Sequence, residues 1–459
     1  MQEDLLYLTA TLLLRIGIGF QPHSGQDNYH GLHSAYGGDF EAQRHWMELT
    51  WHRPIGDWYW YDPDYWKLDY PPLSAYVSWV CGWLSEVLVG PHSVALVSSR
   101  GIEDPIHKAF MRGTVLVLDL LVYIPACWFV VQRLDRQSST WFLAVSQPAI
   151  LLIDHGHFQY NTVALGLSLW GFYFMTKPSA RDKVIGSICY CCALSFKQMT
   201  LYYAPAVFCY LLGWCMEERK RFLQRFSLLG VTVILSFVAL WWPFVYYGPP
   251  ETTAVERLVH VIRRVIPLER GAFEGKVSNL WCALSVHPFR LRQRLSEDWH
   301  PWIALGATLL LCTPACVRVL QRPCSLRDLL RAATTTALAF FLASLQVHEK
   351  SILLAVATSL SGWLGLLAAW SLWPLMVLDR LQVAYCLCVW MAGCRPESFR
   401  QWMAFCSLLG LHLAEAIYTP PSYWPDLFPV LWSIVGCGWF GVAWLDQVRG
   451  LWGDKAKVD

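Results

Sequence analysis

The chain has few charged residues, which make up 15% of its 459 residues, against about 25% in a typical soluble protein. Its formal net charge is only +2, which excludes the strongly basic surface that nucleic-acid-binding proteins need. The sequence has no Asn-x-Ser/Thr glycosylation site and no pair of Cys-x-x-Cys motifs at zinc-finger spacing. We therefore expect neither a nucleic-acid partner nor a structural zinc site.

The chain also lacks a basic N-terminal segment followed by a cleavage site, and it lacks internal repeats and low-complexity linkers. We therefore expect residues 4–20 to be a retained first membrane span and residues 1–459 to form a single domain. The 16 cysteines lie mostly inside apolar runs, where thiols behave as small hydrophobic side chains.

Apolar and aromatic residues are abundant instead. Hydrophobic residues make up 55% of the chain, with 26 tryptophans, and the mean hydropathy is +0.34. These values predict an all-α polytopic membrane protein with about fourteen spans in the lipid bilayer. The candidate spans are 4–20, 111–132, 141–153, 159–176, 184–196, 200–215, 227–247, 301–317, 330–346, 351–378 (as two short passes), 381–394, 401–418 and 427–447.

Basic loops set the predicted orientation. If the apolar run 73–90 lies along the membrane surface, four basic loops share one side, and the positive-inside rule makes that side cytoplasmic. These loops are 133–136, 177–183, 219–225 and 318–331. The predicted layout is then a long first lumenal loop at 21–110 and a first group of spans at 111–247. A basic lumenal loop at 248–300, the remaining spans at 301–447 and a cytoplasmic tail at 448–459 follow. In the tail, Lys455 and Lys457 fit a dilysine retrieval signal of the endoplasmic reticulum.

Polar side chains concentrate in a few segments on the predicted lumenal side, and the richest is 38–48. At helical spacing, Asp39 precedes Gln43 and Glu41 precedes His45, so a short helix would carry an acid/base cluster on one face. Such groups beside a membrane are costly to desolvate and tend to mark function. Asp39 is either a catalytic base or a helix N-cap, which aspartate commonly provides.

Further candidates have structural alternatives. Asp69 precedes two prolines that fix an extended turn, and it either orients a substrate or shapes the turn. Arg44 lies four residues before Glu48, so a surface ion pair competes with a phosphate contact. Three polar clusters lie at predicted helix junctions, and each is either part of a site wall or structural. Their members are His155, His157 and Gln159; Lys197 and Gln198; and His348, Glu349 and Lys350.

Two other features have simpler explanations. The aromatic stretch 51–70 suits an interfacial belt anchoring a surface helix, or stacking against sugar rings. Asp62-Pro63-Asp64 spells a metal-binding D-x-D pattern, but its central proline favours a turn. We interpret Asp119 and the Asp379-Arg380 pair as structural.

The segment 36–48, YGGDFEAQRHWME, resembles the first-loop motif of the endoplasmic reticulum glucosyltransferases that use dolichyl-phosphate glucose. Further blocks look like that family in order, so the resemblance runs from about residue 36 to 430. They are LDYPPL at 68–73, DHGHFQYN at 154–161, KQM at 197–199, RGAFE at 270–274, VHEKSILL at 347–354 and PDLF at 425–428. One departure is Gly275 before Lys276, where the family usually has an acidic residue.

The resemblance implies a GT-C membrane fold without a metal or other cofactor. It implies transfer of glucose from dolichyl phosphate glucose to the dolichyl-pyrophosphate-linked nine-mannose oligosaccharide, at the lumenal face of the endoplasmic reticulum membrane. Asp39 would be the base of an inverting displacement, and His348, Lys350 and Arg270 would hold the donor. The motif QRHW at 43–46 is closer to the first-glucose enzymes than to the second-glucose enzymes, which are the alternative. A lipid-linked sugar transporter or scramblase is the alternative of another class.

Overall fold

The computed structural model describes residues 2–27, 37–135, 137–266, 277–286, 288–321, 325–393, 396 and 398–453. All regular elements in these ranges are helices, which confirms the all-helical prediction. Within them, five helices have the length and apolar character needed to cross a membrane. They are Pro105–Leu134, Gln198–Glu217, Arg219–Tyr246, His300–Gln321 and Leu427–Gly453. Arg270, Gly275, Lys276, Lys455 and Lys457 lie outside the described residues.

The first part of the chain places two helices between its first helix and the long apolar helical segment Pro105–Leu134. Its helices are α1 Gln2–Gly19, α2 Asp39–His52, α3 Pro72–Leu88, α4 Pro105–Leu118 and α5 Ile124–Leu134, with short 3₁₀ turns at Ile55–Asp57 and Pro91–Ser93 and a π-helical turn at Asp119–Tyr123. Proline starts both α3 and α4, because its missing N–H is not needed in the first helical turn. At α4, the Asp104 carboxylate also accepts a hydrogen bond from the His107 backbone N–H.

The middle of the chain is broken by a second π-helical turn. Its elements are α6 Ser138–Val145, α7 Pro148–Leu151, the π-helical turn Leu152–Phe158, α8 Asn161–Met175, α9 Ala180–Phe196, a 3₁₀ turn at Gln198–Tyr203, α10 Ala204–Glu217, a 3₁₀ turn at Arg219–Arg221, α11 Phe222–Tyr246 and α12 Ala254–Val265. The predicted span 141–153 is therefore not one helix. It breaks before Pro148, which cannot continue the hydrogen bonding of a helix from within it.

The last part alternates long helices with a run of short ones. Its helices are α13 Leu280–Ser285, α14 Leu291–Arg294, α15 His300–Gln321, α16 Leu326–Ala343, α17 Ile352–Ser359, α18 Gly362–Ser371, α19 Trp373–Leu378, α20 Gln382–Met391, α21 Phe399–Ile417 and α22 Leu427–Gly453, with 3₁₀ turns at Glu297–Trp299 and Glu349–Ser351. Region 351–378 forms three short helices where two passes were predicted. Leu360, at φ 51°, ends the first, and Pro374 lies in the first turn of the third.

Basic loops gather at one end of the helix bundle. Arg133, in the first of them, donates to Thr176 Oγ1 beside the second, at 2.9 Å. Lys183 and Arg225, from the second and third, both lie over the ring of Trp214, with 5.6 and 4.5 Å to its centroid. The chain reaches this end along α8, leaves it along α9 and returns to it along α10. Asn161 and Lys197 therefore lie at the opposite end, as the grouping of basic loops on one side predicted.

The aromatic side chains of the stretch 51–70 are buried or half-buried. Trp58 and Tyr59 are buried and pack against Phe244 of α11, with ring centroids 5.8 and 5.0 Å apart. These side chains form a protein core instead of the predicted interfacial belt, while Trp66 and Tyr70 of the same stretch line a cavity.

Candidate active site

Asp39 is the first residue of α2, and its carboxylate is the centre of a polar cluster. The N-cap position is occupied by Gly38, so the N-cap alternative for Asp39 is wrong. Instead, Oδ2 of Asp39 accepts hydrogen bonds from Lys350 Nζ, Gln159 Nε2 and, at 3.0 Å, His157 Nε2. All three donors bind the same carboxylate oxygen.

Close backbone packing fixes the start of α2. A Cβ atom added to Gly38 would lie 2.5 Å from Ser24 Oγ, so only glycine fits where the two segments meet. Ser24 Oγ accepts from the Asp39 backbone N–H at 3.3 Å, and the Ser24 backbone N–H donates to the His157 carbonyl at 3.0 Å. Three separate segments of the chain are thereby joined at the carboxylate.

The π-helical turn before α8 directs two polar side chains at Asp39. Phe158 lies between His157 and Gln159 and adopts φ 88°, a strained conformation for a bulky residue that persists only where packing enforces it. Its ring is fully buried against Phe40, with centroids 4.8 Å apart. The strained backbone allows the residues on either side of Phe158 to reach one carboxylate.

A second cation lies behind Gln159. Lys197 Nζ donates to Gln159 Oε1 at 3.0 Å and to Asn161 Oδ1 at 2.5 Å. The amide of Asn161 in turn donates to Asp154 at 2.6 Å. Tyr70 also donates to Gln159 Oε1, at 3.1 Å. Because both partners of that oxygen are donors, the Gln159 amide is oriented with its N–H groups towards Asp39.

Electrostatics keep the central carboxylate charged. Burial raises the pKa of Asp39, but the charge of Lys350 and the hydrogen bond from His157 outweigh burial and hold that pKa well below its usual range. For Lys197, burial is the largest influence and outweighs the attraction of Asp154, lowering the pKa to about 8. Asp39 is therefore ionised at neutral pH and flanked by cations, an arrangement suited to taking a proton while an anion forms nearby.

The cluster opens into a cavity of about 470 Å³, within the range of about 300–1,000 Å³ that is usual for small-molecule sites. Seven of the predicted site residues line it: Asp39, Asp69, Gln159, Lys197, Gln198, His348 and Lys350. The remaining wall is largely apolar and aromatic and includes Trp46, Trp66, Tyr202, Ile266, Phe340 and Leu345. His157 supports Asp39 from behind. The cavity thus combines a charged end with an apolar flank.

Glu41 and Arg44 do not line this cavity. Arg44 is fully buried and binds Glu41 at 2.6 Å, Glu48 at 2.8 Å and Ser99 Oγ at 2.5 Å. Of the two alternatives for Arg44, an ion pair with Glu48 or a phosphate contact, the ion pair forms, but it is buried and not on the surface. It ties α2 to the loop before α4, because the backbone N–H of Val97 also donates to Glu48.

Two other predicted residues, His155 and Glu349, also lie apart from the cavity wall. His155 is buried and contacts Asp119 at 2.9 Å, and Asp119 pairs with Arg15 at 2.8 Å. Glu349 adjoins Lys350 but is not among the lining residues, and Arg270 is outside the described residues. The D-x-D residue Asp62 pairs instead with Lys67 at 2.5 Å and Arg264 at 3.0 Å.

One residue of the cluster was not predicted from the sequence. Asp379, interpreted as a structural partner of Arg380, accepts a hydrogen bond of 2.5 Å from His157 Nδ1. Arg380 points elsewhere and pairs with Asp27 at 3.0 Å. The available signal was a carboxylate at a junction between two short apolar helices, the same signal that identified the other clusters.

Comparison with known proteins gives a consistent result. Residues 11–446 match the family described as the ALG6, ALG8 glycosyltransferase family. The chain is 36% identical to the dolichyl pyrophosphate Man9GlcNAc2 alpha-1,3-glucosyltransferase of Gallus gallus, over 94% of this chain and 93% of that protein. It is 35% identical to the protein of that name from Mus musculus, over 87% and 88% of the two chains. It is 33% identical to the protein of that name from Saccharomyces cerevisiae, over 96% of this chain and 90% of that protein.

Proposed function

Because the chain belongs to the ALG6, ALG8 glycosyltransferase family, we propose that it is an α-1,3-glucosyltransferase acting on a lipid-linked oligosaccharide. Relatives named as Man9GlcNAc2 alpha-1,3-glucosyltransferases match nearly its whole length. The first-glucose step, with the nine-mannose oligosaccharide on dolichyl pyrophosphate as acceptor, is the reaction that those names support.

The proposed donor is dolichyl phosphate glucose, and the proposed location is the endoplasmic reticulum membrane with the cavity on the lumenal side. The grouping of Arg133, Lys183 and Arg225 at the end opposite Asp39 supports this orientation through the positive-inside rule. About fourteen spans in a GT-C fold remain our proposal for the full topology. The apolar flank of the cavity suits a lipid-borne substrate.

One observation carries the proposed mechanism: in the described part of the chain, the side chains that bind the ionised Asp39 carboxylate at the cavity wall all donate to Oδ2. Its Oδ1 atom takes the proton of the mannose 3-hydroxyl as the hydroxyl oxygen bonds to the anomeric carbon of glucose. The bond from that carbon to the phosphate oxygen breaks at the same time, and dolichyl phosphate leaves with the bonding electrons. A single displacement of this kind inverts the anomeric carbon.

The departing phosphate gains charge, and cations of the cavity are placed to stabilise it. Lys350 and Lys197 both line the cavity, as does His348, and charge-assisted hydrogen bonds to phosphate are among the stronger ones. The leaving group is a phosphate monoester, so the lysines can supply this stabilisation without a metal ion. Glu41, Arg44 and His155 were also candidates for substrate contact. They do not line the cavity, and their buried ion pairs and hydrogen bonds hold neighbouring segments in place.

The test is a transfer assay with purified protein and synthetic dolichyl phosphate glucose, with and without EDTA. We expect glucose to be added to the nine-mannose acceptor, dolichyl phosphate to be released, and EDTA to have no effect. Addition only to an acceptor that already carries one glucose would assign the second-glucose step. Movement of labelled lipid across vesicles without release of dolichyl phosphate would favour a transporter or scramblase.

A further inference from the structure

His157 bridges two carboxylates, a geometry that sets its charge. Its Nε2 atom lies 3.0 Å from Asp39 Oδ2, and its Nδ1 atom lies 2.5 Å from Asp379 Oδ2. An ionised carboxylate can only accept hydrogen bonds, and a neutral imidazole carries a single N–H. Both contacts are satisfied at once only when the ring carries a proton on each nitrogen. Two carboxylates then face two cations, His157 and Lys350.

The backbone explains why Asp379, and not its neighbour, faces inward. Asp379 follows the last residue of α19, and Arg380 adopts φ 60°, which turns the chain before α20. The Asp379 side chain is 3% exposed, whereas that of Arg380 is 64% exposed and pairs with Asp27. The two adjacent charged side chains therefore point in different directions: Arg380 binds Asp27, and Asp379 binds His157.

We propose that Asp379 is a positioning residue for the transfer reaction: it holds His157 in its doubly protonated form and fixes the ring so that Nε2 binds Oδ2 of Asp39. The other carboxylate oxygen, Oδ1, is then left to receive the proton of the acceptor hydroxyl. This inference rests on the proposed function, and it adds Asp379 as the residue that holds His157 behind the base.

Other charged groups near the ring oppose this protonation, which is why a second carboxylate matters. Lys350 approaches on the Asp39 side, and Arg112 of α4 binds the Gly156 carbonyl at 2.7 Å. His23 is a further titratable group nearby, but burial lowers its pKa to about 3, so it carries no charge at neutral pH. Burial and the charge of Lys350 lower the pKa of His157, but the hydrogen bonds to Asp379 and Asp39 raise it by more. Without the carboxylate at 379, Asp39 is the one remaining carboxylate in contact with His157 among the described residues, and the nearby cations then lower the pKa of its ring.

The test is Asp379→Asn, an isosteric change that removes the charge, with kcat and donor KM measured across the pH range. The pKa of His157 should fall, so in a titration towards alkaline pH the variant loses the His157 proton earlier than the wild type does. The alkaline limb of the kcat profile should therefore shift down by about 1–3 pH units, and the variant should approach wild-type activity at acidic pH. Donor KM should change by less than about twofold, since Asp379 does not line the cavity.

Two further variants keep the test decisive. Arg380→Gln, which removes the exposed neighbouring charge, should retain the wild-type profile, and Asp379→Glu should restore the alkaline limb. A uniform loss at every pH in Asp379→Asn, or a Glu variant that behaves like the Asn variant, would overturn the inference.

The unaltered protein provides a measurement that does not depend on how the variants fold. Its kcat should show no titration near the ordinary histidine value of about 6.5, and a fall in kcat centred there would contradict the proposal. A wild-type protein that transfers no glucose would instead refute the proposed function.

Discussion

Replacement of Lys350 by glutamine tests the charge arrangement of the cavity. Lys350 pairs with Asp39, and the two side chains are 18% and 27% exposed. The ammonium group has three N–H donors, so it can bind Asp39 and a donor phosphate together. Lys350→Gln keeps a polar side chain of similar reach and removes the positive charge from both interactions.

Two effects of this change can be compared in size. Loss of a neighbouring cation raises a carboxyl pKa by about 1–3 units. The pKa of Asp39 lies well below its usual 3.8, so the variant carboxylate remains mostly ionised at neutral pH. A charge-assisted hydrogen bond to the departing phosphate contributes about 1.5–3 kcal/mol, which corresponds to about 10–150-fold in rate. The loss of leaving-group stabilisation therefore dominates.

Steady-state transfer of glucose from synthetic dolichyl phosphate glucose measures this effect. We expect kcat/KM of Lys350→Gln to fall by about 10–150-fold at neutral pH, with the acid limb of the profile moved upward. Lys350→Arg, which keeps the charge, should lose less. Lys67→Gln is the matched control, because Lys67 pairs with Asp62 away from the cavity. A kcat/KM within about twofold of wild type would refute the reasoning.

Three further outcomes follow from the contacts. Arg44→Met should destabilise the protein by about 3–5 kcal/mol, because it leaves two buried carboxylates without their cation; thermal unfolding should show this while donor KM stays unchanged. Tyr70→Phe removes the hydrogen bond to Gln159, so kcat should fall about fivefold for about 1 kcal/mol. The pKa of Asp39 is lower in the folded protein than in the unfolded chain. The ionised carboxylate therefore stabilises the fold above its ordinary pKa, and this stabilisation is lost as the pH falls through the folded pKa. Wild-type Tm should decrease more steeply below about pH 4 than that of Asp39→Asn.

Much of the site was predictable because polar residues are scarce in this chain and costly to bury. Asp39, Gln159, Lys197, His348 and Lys350 come from well-separated segments, and the structure brings them to one cavity. Each was identified by polarity beside an apolar run, a signal that does not depend on knowing the contacts. The helical expectation for 38–48 was also confirmed, since α2 begins at Asp39.

The features that the sequence did not predict all depend on contacts between distant parts of the chain. Asp379 contacts His157 across 222 residues of sequence. Its position between two short apolar helices marks it as a candidate, but does not show which group it contacts. For Arg44, the i,i+4 partner Glu48 was evident, but its burial depends on the loop that carries Ser99. The π-helical turn that holds Phe158 at φ 88° likewise has no signature in spacing alone.

The assignment of Asp39 as the base is tested most directly by Asp39→Asn, assayed for glucose transfer to the nine-mannose acceptor. The amide retains the size of the side chain but cannot take the hydroxyl proton, and we expect transfer to fall by at least about 10²–10⁴-fold. Unchanged elution of the purified variant as a single species would show that folding is preserved. Transfer at more than about a tenth of the wild-type rate would contradict the assignment.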